Sequence, residues 1–356
     1  NLIDVVKKYV NERLIPLEPK ISEEDKIPEE VVQEMRDLGL FGLTIPQEYG
    51  GIGLNTEQEC RVVMELGRTS PAFRSIFGTN NGIGSQGIVM DGTNEQKSYY
   101  LPKLASGEII GSFALTEPEA GSDAGSLQTK ATLEGDEYVL NGTKRYITNA
   151  PNAQLFTVFA RTDPSTNNSR GVSAFLVDST LPGISLGQPY KKMGQQGAHV
   201  CDVVFDNCRV PAAQILGGPE KINQGFKSAM KTLDRGRIHI SALSVGCANR
   251  LIDLCLNYSL ERKQFGQQIA EFQLLQGMIA DSKTESYAAE CMVLDTAKRR
   301  DAGENVNTLA SCCKLFVTEM VGKVADRAVQ IHGGAGYIEE YAVARFYRDV
   351  RLFRLY

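Results

Sequence analysis

The hydrophobic pattern changes period near residue 110 and changes back near residue 218, so the chain passes from helical to β architecture and returns. Before the first change, Leu2, Val5, Val6, Tyr9 and Val10, then Leu14 and Leu17, recur at helical spacing. Pro28 with Glu29 and Glu30 marks another helix start. "PQEYGGIGL" reads as a loop, and "TEQECRVVMELGRTS" and "NEQKSYYLPKLASGE" as further helices. Between the two changes, apolar and polar residues alternate around "EGD" and "NGT", both expected to be hairpin turns. No crossover-length helix separates these strand-like runs, which predicts a compact antiparallel sheet and argues against a Rossmann unit. After the second change, long amphipathic runs over residues 225–260, 268–300 and about 305–331, with a fourth beginning at Ala342, predict a four-helix bundle. The expectation is a multidomain α+β chain: an N-terminal helical domain over 1–111, a central antiparallel β domain over 112–218 and a C-terminal bundle over 219–356. Helices this long exceed the usual globular length, and burial in an oligomer is one reason for it.

Composition narrows the function classes. A net charge of -5, with no basic tail or stripe, argues against a nucleic-acid partner. The eight cysteines form no CxxC, the usage of a reducing compartment. The three histidines make no metal-spaced pair, so no metal is expected. No run of 18 apolar residues and no signal peptide are visible, which predicts no membrane span and no secretion. Bacterial cytoplasm or the mitochondrial matrix both suit this composition.

Catalytic motifs are scarce. GxSxG, Walker A and HExxH are absent, and "GGIGLN" lacks the strand context of a dinucleotide motif. The loop over residues 113–126, "FALTEPEAGSDAGS", is either a wall of a ligand cleft or a domain linker with a capping pair. "QIHGGAGYIEEY" (330–341) ends a helix with paired glycines, either a close approach to a ligand or a C-cap and turn. In "ERKQFGQQIAEFQ", Arg262 and Lys263 read as a charged cap, and Asp234 and Arg237 have the spacing of an i,i+3 ion pair.

Taken together, "FALTEPEAGSD", "GTKRYITNA", "RKQFG…FQ", "QIHGGAGY" and "YRDVRLFRLY" resemble the acyl-CoA dehydrogenase family, in order and at plausible spacing along the whole chain. The resemblance implies the same α, β, α-bundle plan and FAD as cofactor. It places Phe113, Leu115 and Thr116 along the isoalloxazine ring and Ser122 near the FAD chain and CoA. Tyr146, Ile147 and Thr148 would pack on the other side, with Tyr146 standing where relatives often carry Trp. Arg262, with Phe265 and Gln273, would reach the FAD of a neighbouring subunit, as would Gln330, Gly333 and Gly334. A homotetramer built as a dimer of dimers follows. Asp234 and Arg237 resemble CoA-side or acyl-site residues, and Tyr356 lies on the substrate side.

The implied reaction is α,β-desaturation of an acyl thioester: a carboxylate takes the α proton, the β hydrogen leaves as hydride, and electrons pass to an electron-transferring flavoprotein. Family members carry that carboxylate either directly after the tyrosine resembling Tyr356 or at the position resembling Gly236. Residues 1–356 therefore contain no assigned catalytic residue, and the base is expected after Tyr356. Arg74 in "SPAFRSIFG" reads either as a surface arginine or, by resemblance to glutaryl-CoA dehydrogenases, as a contact for a distal carboxylate. A short or branched acyl-CoA is the leading substrate expectation. A dicarboxylyl-CoA, or a flavin-containing desulfinase lacking the usual base, is the alternative.

Overall fold

The computed structural model describes residues 1–356. Helices come first: α1 (Leu2–Tyr9), a π turn (Val10–Leu14), α2 (Ile15–Glu24), α3 (Glu29–Asp37), α4 (Thr56–Leu66), α5 (Pro71–Asn81), α6 (Gln86–Asp91) and α7 (Asn94–Ser106). Asn1, Asn55 and Thr93 each cap a first turn in a reciprocal capping box, and Pro71 opens α5. The π turn falls just before Pro16, which has no amide to continue the α ladder; Ile15 bonds back to Val10 instead. Val6, Val10, Leu14 and Ile21 pack on Val31, Met35, Phe41, Phe73 and Phe77 as one core.

The central strands are β1 (Gly111–Ala114), β2 (Lys130–Glu134), β3 (Glu137–Thr148), β4 (Leu155–Arg161), β5 (Val172–Asp178), β6 (Ile184–Leu186) and β7 (Val200–Pro211). Their order is β1-β4-β2-β3-β7-β6, with β5 also on β4. The pairs β2/β3, β3/β7, β4/β5 and β6/β7 are antiparallel, as expected. β1 is not: it runs parallel to β4, and a single parallel bridge joins Lys130 to Arg161. The sheet is therefore mixed. β1 arrives from the helices with no hairpin before it, and the β2–β3 excursion returns the chain beside it in the same direction without a crossover helix. "EGD" does turn β2 into β3, but "NGT" lies inside β3. There Gly142 carries a bulge, and a Cβ on it would stand 2.4 Å from Thr129 Oγ1. One sheet face holds Phe156, Val158, Phe175 and Phe205; Leu155, Phe159, Val172 and Leu176 pack with Leu101, Leu104 and Leu216.

The bundle consists of α8 (Gly225–Glu261), α9 (Gln273–Asp301), α10 (Asn307–His332) and α11 (Ala342–Val350). α9 starts later than residue 268 because β8 (Lys263–Gln264) and β9 (Gln267–Gln268) form a hairpin, followed by a 3-10 turn over Ile269–Glu271. Phe265 (φ 54°) and Gly266 (φ 83°) supply the two left-handed residues of its turn. α4 lies against α8 at Gly67 and Gly246, where a Cβ on Gly246 would meet the Met64 carbonyl oxygen at 2.1 Å. No helix is long and apolar enough to cross a membrane.

Candidate active site

Two of the segments expected to face a flavin are locked side by side. Lys144 is fully buried, with Nζ 2.7 Å from Glu117 Oε1 and 3.1 Å from the Leu115 carbonyl. Burial draws its pKa down to about 8 against the opposing pull of Glu117. Glu117 also accepts from the Thr129 amide at 2.9 Å and the Thr129 hydroxyl at 2.5 Å. This fixes Leu115 and Thr116 against β3, where the Arg145 amide donates to the Thr116 carbonyl at 2.8 Å. Ser112 Oγ, on β1, donates to the Thr148 carbonyl at 2.7 Å. A second bulge in β3, between Lys144 and Ile147, puts Tyr146 at φ 59° and leaves its side chain 59% exposed. Ile147 is buried behind it, and Phe113 packs against Phe159 with ring centroids 4.7 Å apart. The amides of Leu115 and Thr116 donate to no group of the chain. Unused donors beside an exposed flat ring fit the edge and face of an isoalloxazine. Ser122 sits exposed on the following turn.

A second cluster is enclosed where α4, α5 and α8 meet. Arg74 folds along its own helix over Gly78, where a Cβ would stand 2.7 Å from its Cζ and Nε. Its Nε donates to His239 Nε2 at 2.7 Å, and His239 Nδ1 meets Glu59 Oε1 at 2.7 Å. Arg235 then donates to Glu59 Oε2 at 3.0 Å and to Gln86 Oε1 at 2.8 Å. Arg74 is thus turned inward and partly buried. Its two outer nitrogens donate to no group of the chain. Burial lowers the pKa of Arg74 and, with the charge of Arg74, that of His239. Burial works to raise Glu59, but Arg235 and His239 outweigh it and hold the carboxyl down to about 2. Tyr356 is half exposed as a residue, while burial of its hydroxyl pushes it up to about 12 within the field of Arg74. Gly236, one turn before His239, has open space beside it. Asp234 and Arg237 form the expected ion pair, and Asp234 lines a cleft with Met90, Lys231 and Arg300.

Sequence reasoning missed Glu59, Arg235 and His239. A signal existed: Glu59 shares the buried face of α4 with Thr56, Cys60 and Val63, a carboxylate in a core stripe. Arg235 and His239 are likewise i,i+4 neighbours on α8.

The remaining expected residues lie at the far end of the bundle. Arg262 caps α8, Phe265 is 94% exposed at the hairpin tip, and Gln273 opens α9. Tyr258 stacks on His332 at 4.2 Å, bringing that hairpin beside Gln330, Gly333 and Gly334, all exposed. No hydrogen bond within the chain joins this group to the β3 edge.

Three family models cover the chain: the N-terminal (residues 1–108), middle (112–208) and C-terminal (223–356) domains of acyl-CoA dehydrogenase. The chain belongs to the acyl-CoA dehydrogenase family. It is 40% identical to the probable acyl-CoA dehydrogenase YngJ of Bacillus subtilis over 99% of this chain and 92% of that one. It is 39% identical to a subunit of a caffeyl-CoA reductase–Etf complex of Acetobacterium woodii, over 95% and 88%. The structure of butyryl-CoA dehydrogenase from Megasphaera elsdenii superposes with a TM-score of 0.95 at 33% identity, over 100% and 93%. As an acyl-CoA dehydrogenase the protein is an oxidoreductase of an FAD-dependent family, and the sequence resemblance holds across all three parts of the fold.

Proposed function

We propose that this acyl-CoA dehydrogenase desaturates a short or branched acyl-CoA between its α and β carbons and delivers the electrons to an electron-transferring flavoprotein. The observation that carries the reading is the locked edge formed by Leu115, Thr116 and Tyr146, where the unused amides of Leu115 and Thr116 and the exposed ring of Tyr146 suit a flavin. Phe113, Ile147, Thr148 and Ser122 flank that edge. Arg262, Phe265, Gln273, Gln330, Gly333 and Gly334 are exposed together, as residues serving a neighbouring subunit's flavin would be. When bound, FAD would accept the β hydrogen as hydride.

The chain's own residues have the remaining tasks. On this reading the α proton is taken beside Tyr356 by the residue that follows it, because Gly236, the other family position for the base, carries no carboxylate. Dry surroundings raise a carboxyl's pKa and make it a competent base. Asp234, paired with Arg237, stands at a cleft on the CoA side. The similarity to the caffeyl-CoA reductase–Etf subunit supports an electron-transferring flavoprotein as partner.

A specific observation favours a second reading, in which the acyl tail ends in a carboxylate: Arg74 is turned inward, partly buried, and makes no ion pair within the chain. A plain alkyl tail leaves that charge unpaired, which is costly. The test is anaerobic titration of the full-length, FAD-loaded oligomer with butyryl-, isobutyryl- and glutaryl-CoA, following the flavin absorbance. Bleaching by a monocarboxylic thioester supports the first reading, and selective bleaching by glutaryl-CoA the second. Bound flavin that no acyl-CoA bleaches overturns both.

A further inference from the structure

We propose that His239, held in one tautomer by Glu59, is a positioning residue that aims the Arg74 guanidinium at the distal carboxylate of an anionic acyl tail. The inference rests on the carboxylate-tail reading and goes beyond it by assigning what holds the arginine.

The hydrogen-bond polarity is forced. A guanidinium Nε–H only donates, so His239 Nε2, 2.7 Å away, must accept. The ring proton then lies on Nδ1 and donates to Glu59 Oε1 at 2.7 Å. Glu59 has its second oxygen on Arg235, Arg235 donates onward to Gln86, and Gln86 donates to Thr44 Oγ1 at 3.1 Å. Each of these contacts pairs one donor with one acceptor, so the chain of contacts has one direction and Arg74 is its end. A protonated imidazole would set N–H against N–H at Arg74, which excludes the charged form.

The same cluster is unbalanced in charge. Arg74 and Arg235 are cationic, Glu59 is anionic and His239 is neutral, which leaves one positive charge unmatched among these four groups, on the partly buried Arg74. Glu59 is already shared by Arg235 and His239, so it cannot neutralise Arg74 as well. Only Nε of Arg74 is used, and the two outer nitrogens present the fork that binds a carboxylate end-on. The absence of a Cβ at Gly78 is what lets the guanidinium lie along α5 within reach of His239.

Calorimetric dissociation constants of glutaryl-CoA and butyryl-CoA for the full-length holoenzyme test this, each variant being compared by the ratio of the two. Wild type is expected to favour glutaryl-CoA. His239→Leu should reduce that preference by roughly tenfold or more, the effect of releasing a hydrogen-bonded charged group. His239→Gln, whose amide can accept from Arg74 and donate to Glu59, should retain most of it. Gly78→Ala, which removes no polar group, should also reduce it by crowding the guanidinium. Arg74→Met should abolish it. If Arg74→Met abolishes the preference while His239→Leu and Gly78→Ala leave it intact, the positioning role is wrong and the carboxylate-tail reading stands. If Arg74→Met leaves the ratio unaltered, or wild type shows no preference, the carboxylate-tail reading itself is overturned. Equal weakening of both thioesters in His239→Leu would reveal a merely structural histidine and overturn the proposal.

Discussion

At Glu59, burial alone would raise the carboxyl, yet Arg235 and His239 together hold it down to about 2. An acid with a depressed folded pKa contributes stability above its unfolded value, here 4.5, and loses it as pH falls towards 2. Glu59→Gln is therefore expected to cost about 3 kcal/mol near neutrality. The deficit should shrink as pH falls from about 4.5 towards about 2. Urea unfolding of wild type and variant at pH values on both sides of that window checks the sign; a deficit that grows on acidification would contradict it. The neutral state of His239 belongs to the same account, because burial and then the charge of Arg74 disfavour a charge on its ring.

At the scale of elements, two features of the backbone shape the proposed site. The bulge in β3 holds Tyr146 in a left-handed conformation and turns its ring outward, while Ile147 stays buried. Tyr146→Ala should weaken FAD retention roughly tenfold, and Tyr146→Trp should preserve it. The recovery of free-flavin fluorescence on dilution measures both. The second feature is the contact of α4 with α8. A Cβ on Gly246 would lie 2.1 Å from the Met64 carbonyl oxygen and 2.8 Å from the Gly67 Cα, both backbone atoms that cannot step aside. Gly246→Ala should therefore force the helices apart at a cost of about 1–3 kcal/mol, seen as a lower thermal midpoint. On the carboxylate-tail reading, glutaryl-CoA selectivity should fall with it, since α4 carries Glu59 and α8 carries His239.

For the whole molecule, the apolar residues left in water are the informative ones. Phe265 is 94% exposed, Tyr337 86% and Leu274 81%, and all lie at the hairpin, the start of α9 or the glycine turn after α10. A cluster of this kind marks an interface. On the proposed reading it meets a second copy and that copy's flavin. Replacing Phe265 and Leu274 by serine should lower the sedimenting mass and the flavin content together, with the far-ultraviolet circular dichroism kept. Loss of mass with full flavin occupancy would separate assembly from cofactor binding and remove the shared-site proposal.

The sequence by itself determined the helical, β and helical zones, because hydrophobic period is local: Leu2 to Leu17 and the long run of α8 state their own geometry. It also marked the segments around Leu115, Tyr146, Phe265 and Gly333, whose short motifs are contiguous. The parallel pairing of β1 with β4 was not legible, since pairing partners depend on where a distant strand arrives. Nor was the bulge that makes "NGT" part of a strand, which is imposed by the neighbouring Thr129 and the register with β7. The cluster at Arg74 is the clearest case. Glu59, Arg74, Arg235 and His239 are ordinary polar residues on three helices, and only the packing of α4 and α5 against α8 joins them, burying Glu59 and His239 and partly burying both arginines. Desolvation then makes each proton position and each charge consequential, and desolvation is a property of the assembled fold.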